Sequence, residues 1–309
     1  MSQKAMMKNH EFAGVDMREF YDAIRAAGLE PPEIIEPGKF HRFPGADKPP
    51  SNDAGWCLLF EDGEGGCFGD WSTGLSETWQ AKRSKPLTPA ERAAYQRKVQ
   101  EARARRKAEL ITNQNAAAKR AKAIWDKSIP APNNHPYLVS KGIQAHGARL
   151  YKGLLVLPLI DFTRKLFSLQ FISQNGDKKF IKYSRERGCF IHVNGDFSNV
   201  TRVVICEGWA TGCTLAEDEP KSVVLAALNA DNLKTVSLAA RMRWQNAEII
   251  LAGDDDRLTE GNPGKTKAKE AAIAAKALLA FPEWPEDAPE HLTDFNDLVV
   301  WRKGAIHGR

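Results

Sequence analysis

The chain has 309 residues, room for two or three small domains, and its hydrophobic content of 42% allows a sizeable core. No stretch approaches the roughly 20 apolar residues of a membrane span, and the opening MSQKAMMKNHEF has no apolar signal region, so a soluble, cytoplasmic protein without membrane contact is expected. The net charge of +5 hides a segregation: Lys82 to Lys127 holds fourteen Lys/Arg against four Asp/Glu, a local net of +10, so the remainder nets −5.

In chain order, residues 16–27 read as a short helix. Asp16 can cap it, Glu19 sits three residues on, Met17, Phe20, Tyr21 and Ile24 make an apolar face, and Gly28 ends it. Short aromatic-rich strands follow: FHRF (40–43), GWCLLF (55–60) and GCFGDW (66–71), with EDGEGG as a hairpin turn. This small β-rich unit closes near Trp79. Trp56, Phe68, Trp71 and Trp79 are read first as its core, with base stacking as the alternative. In LTPAERAAYQRKVQEARARRKAEL, Thr88, Pro89 and Glu91 supply an N-cap, a first-turn proline and a capping-box glutamate. The helix they open, broken near Thr112-Asn113 and running to Trp125, is polar on most sides. It is therefore expected to stay unburied as a spacer, a nucleic-acid arm, or both. Arg103, Arg105, Arg106 and Lys107, with Trp71, are its DNA-binding candidates.

Pro130 to Pro136 breaks the chain, and PYLVSKGI reads as a helical turn capped by Gly142. Strands of a mixed α+β unit are expected at GLLVLPLID (153–161), LFSLQFIS (166–173), KKFIKY (178–183) and GCFIHV (188–193). From Arg202 the pattern alternates. RVVICEG, SVVLAAL and AEIILAG are apolar strands, separated by a helix from about Ala210 and one with Leu233, Val236 and Ala240 on one face. A further helix carries Ala268, Ala271, Ala272, Ala275 and Leu279. Such alternation predicts an α/β fold, a parallel sheet with helices on both faces. The expected divisions are 1–80, a β-rich unit and template-binding candidate; 81–130, a basic helical linker; 131–199, the α+β subdomain; and 200–309, the catalytic domain.

Ligands of an open parallel sheet bind beyond the carboxyl ends of its strands. Glu207 follows one strand; Asp254, Asp255 and Asp256 follow another. Alternation points Asp254 and Asp256 one way and Asp255 the other. Asp294 and Asp297 in TDFNDLV are a further acidic pair. Adjacent carboxylates repel unless a cation separates them, and such a set suits Mg²⁺ in phosphoryl transfer. A solvated turn is the plain alternative. Gly-Lys-Thr at 264–266 invites a phosphate loop of the G-x-x-x-x-G-K-[ST] type, but Thr259 stands where its first glycine belongs. Lys265 is then an exposed helix lysine with phosphate contact as a second role. Asn229 and Asn232 read as helix caps.

VVICEGWATGCTLAE, VVLAALNADNL, IILAGDDD…NPGKTKAKEAA and TDFNDLV, in that order over about residues 200–305, resemble the Toprim domain of plasmid-transfer and phage primases. HPYLVSKGI with the following strands looks like the subdomain preceding Toprim in bacterial-type primases, and GWCLLFEDGEGGCFGDWSTGLSETW is similar to the N-terminal unit of phage and plasmid primases. The resemblance implies metal binding by Glu207, Asp254 and Asp256, with Glu207 in acid–base chemistry or metal binding. Asp297, and less directly Asp294, match the late acidic position. Lys178, Lys179, Lys182 and Arg185 match a basic nucleotide- and template-facing segment. The implied activity is a DNA primase, a nucleotidyltransferase making short RNA primers on single-stranded DNA from NTPs with Mg²⁺ or Mn²⁺. A Toprim nuclease and a non-catalytic single-stranded-DNA-binding replication protein are the alternatives. Unwinding would fall to a separate replicative helicase. The zinc ribbon of many such primases is not expected. The five cysteines (57, 67, 189, 206 and 213) include no C-x-x-C, and Cys57, Cys67 and His41 lack paired ligand spacing.

Overall fold

The computed structural model describes residues 11–12, 15–81 and 88–307. The opening residues and Lys82, Arg83 and Lys85 of the basic segment lie outside the described residues. The chain forms two compact units, Met1–Glu109 and Leu110–Arg309.

In the first unit, β1 (Glu11–Phe12) pairs with β2 (Val15–Asp16), and α1 spans Arg18–Ala26. The expected cap is displaced: Met17 holds the N-cap position, and the side chain of Asp16 lies outside the described residues. Gly28, at φ +78, ends the helix as expected. β3 (Phe40–Phe43), β4 (Gly55–Leu59), β5 (Gly65–Asp70) and β6 (Leu75–Gln80) form an antiparallel meander in chain order. The two central strands, β4 and β5, are buried on both faces because their side chains alternate. Cys57, Leu59 and Phe68 face Phe20 and Ile24 of α1, while Trp56, Leu58, Phe60 and Cys67 face Val99. Gly66 is needed for this: a Cβ there would lie 2.8 Å from the Phe20 ring and 2.9 Å from the Leu58 carbonyl oxygen.

α2 (Pro89–Lys127) opens with the expected capping box, Glu91 N–H donating to Thr88 Oγ1 at 3.3 Å and Thr88 N–H to Glu91 Oε2 at 2.8 Å. It runs unbroken through Thr112-Asn113. A stripe of small residues explains this and corrects the expectation of an unburied helix. Ala117 and Ala121 are fully buried against Val156, Leu169 and Ile181, so tertiary packing overrides the weak local propensity.

The second unit continues with β7 (Ile129–Pro130), α3 (Pro136–Lys141), β8 (Arg149–Tyr151), β9 (Leu154–Ile160), β10 (Leu166–Ile172) and β11 (Lys178–Phe180). These strands form one antiparallel sheet, ordered β11-β10-β9-β8-β7. Gly142 caps α3 in the left-handed conformation, as expected. β11 stops short of the expected 183, and Tyr183 turns the chain at φ +64. β12 (Ile191–Asn194) does not join this sheet. After a single bridge from Phe190 to Ile160 it pairs antiparallel with β14 of the next one.

That next sheet has the order β12-β14-β13-β15-β16, parallel apart from β12. Its elements are β13 (Arg202–Cys206), α4 (Trp209–Asp218), β14 (Val223–Ala226), α5 (Ala230–Arg243), β15 (Glu248–Ala252), α6 (Pro263–Ala275), β16 (Leu278–Ala280) and α7 (Phe295–His307). Val203, Ile205, Ile249 and Leu251 face Leu233, Val236, Ala268 and Ala271 of α5 and α6. Val204, Cys206 and Ala252 face Trp209 and Cys213 of α4 and Leu155 and Leu157 of the antiparallel sheet. The parallel sheet is thus covered on both faces, as its apolar strands require. Leu279 is no part of α6; it lies in edge strand β16 and is partly exposed. Among the described residues no helix is long and apolar enough to cross a membrane.

Candidate functional site

Cys206 of β13 pairs in parallel with Ala252 of β15, so the residues that follow leave the sheet together at its carboxyl edge. Glu207 lies between β13 and the N-terminus of α4. Its carbonyl accepts the N–H of Leu228 at 2.9 Å. Leu228 sits at φ +78, a left-handed conformation that costs a bulky residue about 1–3 kcal/mol. Core packing of its side chain holds that strained turn, which in turn fixes the backbone at Glu207.

Two carboxylate oxygens here are buried and, among the described residues, have no hydrogen-bond partner: Glu207 Oε1 and Asp254 Oδ1. Burial pushes the Glu207 carboxyl up to about 7, helped by the charges of Asp256, Asp231 and Asp294. Burial likewise pushes Asp254 to about 8, with Glu207, Asp294 and Asp256 adding repulsion and Lys178 opposing it. Asp294 is raised too, by burial and then by Asp297, against hydrogen bonds that include Thr211 Oγ1 at 3.0 Å. Buried acceptors without donors, destabilised by one another's charge, are a donor set that a divalent cation would satisfy. The side chains fit such an ion in chemistry but are not drawn tightly together. Among the described residues no group of three His, Cys, Asp or Glu is spaced to hold a metal as it stands.

The other acidic residues have donors. Asp256 Oδ2 accepts the N–H of Gly264 at 2.9 Å, so it caps the start of α6 while its charge bears on Glu207 and Asp254. Asp255 is held by Asn262, Lys265 and Trp284. Those contacts hold its carboxyl below the usual range despite its burial. The late acidic pair is arranged differently from the expected preference. Asp294 is the member felt at Asp254 and Glu207, whereas Asp297 pairs with Lys141 at 3.2 Å and accepts the N–H of Thr293 at 3.1 Å.

Of the basic candidates, Lys178 bears on Asp254, and Lys178, Lys179 and Lys182 are exposed. Arg185 lies over the Phe167 ring at 4.4 Å and 3.8 Å from Asp161, so its guanidinium is engaged. Lys265 is not a loose helix lysine; its Nζ lies 3.4 Å from Asp255 and over the Phe281 ring. Arg103, Arg105 and Lys107 are exposed on α2. Arg106 instead stacks on Trp56 at 4.4 Å and Trp71 at 4.5 Å and donates to Ser76 at 2.8 Å. Cation–π packing thus occupies both Arg106 and Trp71 within the first unit. Cys57 and Cys67 lie in the clusters on opposite faces of their sheet, and all five cysteines are buried as free thiols. Asn229 caps α5 as expected, accepting the N–H of Asn232 at 3.0 Å. Asn232 itself is a buried latch, donating to the carbonyls of Ala227 and Cys189 at 2.8 Å.

Thr211, Lys141, Asn262 and Trp284 went unrecognised in the sequence. Asn262 carried a local signal, an asparagine at the N-cap position before a first-turn proline.

Residues 202–305 match the protein family described as Toprim domain. Two Escherichia coli sequences, both named DNA primase TraC, are similar to the chain. One is 33% identical over 288 residues, covering 85% of this chain and 26% of the relative; the other is 32% identical over 299, covering 88% and 20%. The chain therefore spans about a quarter or less of those relatives' length. The crystal structure of the primase fragment of the bacteriophage T7 primase-helicase protein superposes with a TM-score of 0.41 at 16% identity, covering 86% of this chain and 97% of that one. With the strand order, the acidic edge and the family match in agreement, residues 202–305 are a Toprim domain, in a chain related over most of its length to TraC-named DNA primases.

Proposed function

We propose that the chain is a DNA primase, joining NTPs into short RNA primers on single-stranded DNA by two-metal-ion nucleotidyl transfer. The observation that carries this reading is the pair of unpartnered buried oxygens, Glu207 Oε1 and Asp254 Oδ1, at neighbouring parallel-strand ends. Glu207, Asp254 and Asp256 would hold Mg²⁺ or Mn²⁺, with Asp294 beside them and Asp297 behind, tied to Lys141. The bound ions would neutralise charge building on the phosphates and make the attacking hydroxyl more acidic.

The chain's own groups supply the rest. The Glu207 carboxylate has two oxygens, so while one would hold an ion the other can take the proton of the primer 3′-hydroxyl. The deprotonated 3′-oxygen of the primer then bonds to the α-phosphorus of the NTP, and the bond from that phosphorus to pyrophosphate breaks. Lys178 offers a positive charge beside Asp254, toward the nucleotide phosphates, with Lys179, Lys182 and Arg185 along the same segment. Arg103, Arg105 and Lys107 give template affinity without sequence readout. In this scheme residues 1–80 and 81–130 serve the template, 131–199 the nucleotide and 200–309 the chemistry, and a separate helicase opens the duplex.

The test is incubation of the chain with Mg²⁺, labelled NTPs and single-stranded DNA. New short RNA is expected, and Glu207→Gln should lower its yield about 10²- to 10⁴-fold. Degraded DNA would make the chain a Toprim nuclease, and a mobility shift with neither product would make it a DNA-binding replication protein.

A further inference from the structure

We propose that Asp255, the middle carboxylate of the 254–256 run, is a positioning residue that sets the distance between the metal-binding carboxylates and is not a ligand itself. This rests on the reading of Glu207 and Asp254 as a metal site. Three adjacent aspartates have three different environments. Asp254 presents a buried oxygen with no donor among the described residues, and Asp256 caps α6. Asp255 is 6% exposed and has donors on both oxygens. Oδ1 accepts Asn262 Nδ2 at 2.6 Å and lies 3.4 Å from Lys265 Nζ; Oδ2 accepts Trp284 Nε1 at 3.3 Å. A carboxylate so saturated, with a lysine to balance it, has little left to offer a cation.

Its partners lie on the two segments that carry the other acidic groups. Asn262 Oδ1 accepts the N–H groups of Asp256 at 3.0 Å and Lys265 at 3.2 Å, which ties the 254–256 turn to the first turn of α6. Trp284 belongs to the loop that leads to Asp294. That loop is fastened twice more: Asp255 N–H donates to the Thr293 carbonyl at 2.7 Å, and Arg257, 4.5 Å over the Trp284 ring, donates to the carbonyls of Pro289 at 2.6 Å and Leu292 at 3.2 Å. Asp294 follows Thr293 directly. The Asp255 side chain, bonded to both Asn262 and Trp284, therefore joins the turn that carries Asp254 and Asp256 to the loop that leads to Asp294, beside the backbone and Arg257 fastenings. An amide at 255 cannot replace it, because its NH₂ would face a donor whichever way it turned.

The experiment titrates the full chain with Mn²⁺ alone, reading free ion by electron paramagnetic resonance, for wild type, Asp255→Asn and Trp284→Phe, with thermal melts alongside. Asp255→Asn is expected to weaken Mn²⁺ binding about 10- to 100-fold, the range for residues that support metal ligands. Trp284→Phe keeps a ring for Arg257 and removes one donor, so it should weaken binding in the same direction by less. Should Asp255→Asn fail to fold, Trp284→Phe decides alone. Wild-type affinity in the folded variants overturns the proposal, and so does a wild type that takes up no Mn²⁺. Primer synthesis by the wild type is scored separately. Its absence would remove the primase reading while leaving the Mn²⁺ comparison intact.

Discussion

Asp254 and Glu207 are held against their own preference. Burial and neighbouring carboxylates raise Asp254 from 3.8 to about 8 and Glu207 from 4.5 to about 7. The folded state then binds more protons than the unfolded one between about pH 4 and pH 8, so metal-free stability falls as pH rises through that window. Each ionised carboxylate costs the fold free energy that a cation would return. Asp254→Asn removes the charge and keeps the shape. The metal-free variant is expected to match wild type within about 1 kcal/mol at pH 4 and to exceed it by on the order of 5 kcal/mol at pH 8. Thermal melts in a chelator at the two pH values measure this. An equal effect at both would mean that Asp254 does not ionise against its neighbours in the folded chain.

At the scale of the element, the start of α6 is built around a residue without a side chain. A Cβ on Gly264 would stand 2.8 Å from Asp256 Oδ2 and 2.9 Å from the Asp254 carbonyl oxygen, whereas Gly304 in α7 has nothing within 4 Å. Glycine to alanine inside a helix ordinarily stabilises by roughly 0.5–1 kcal/mol. Gly304→Ala should show that gain, and Gly264→Ala should lose about 1–3 kcal/mol by crowding the acidic turn. Chemical denaturation of the two variants is the measurement, and a shared sign would refute the close packing at 264. The same segment marks how far the sequence could be read. Glu207, the 254–256 run and the strands feeding them were legible because apolar strands, alternation and turn residues are local signals. Trp284, nearly thirty residues from Asp255, was not, because nothing local announces a partner across a loop. Lys141 and Asp297 likewise met only in the fold, through the packing of α3 and α7 in the second unit. The buried alanine stripe of α2 escaped notice for the opposite reason: Ala117 and Ala121 look like ordinary helix formers until the sheet they cover is known.

Over the whole molecule, charge is sorted along the chain, a net +10 between Lys82 and Lys127 and −5 in the remainder. Not all of that positive charge is available to a polyanion. Arg106 is committed to Trp56, Trp71 and Ser76, while Arg103, Arg105 and Lys107 point to solvent on the same helix. Single-stranded DNA held by phosphate contact should feel the second group. Replacing Arg103, Arg105 and Lys107 together with alanine removes three charges, each contributing about 0.7 to the dependence of log affinity on log salt. The slope is therefore expected to fall by about 2, with the melting temperature almost unchanged. Arg106→Ala should behave in the reverse manner, lowering the melting temperature by unstacking two tryptophans and moving the slope by less than one unit. Fluorescence anisotropy with a labelled oligonucleotide across a salt series separates the two. If the triple variant kept the wild-type slope, the basic face of α2 would be a solvated surface that takes no part in holding the oligonucleotide.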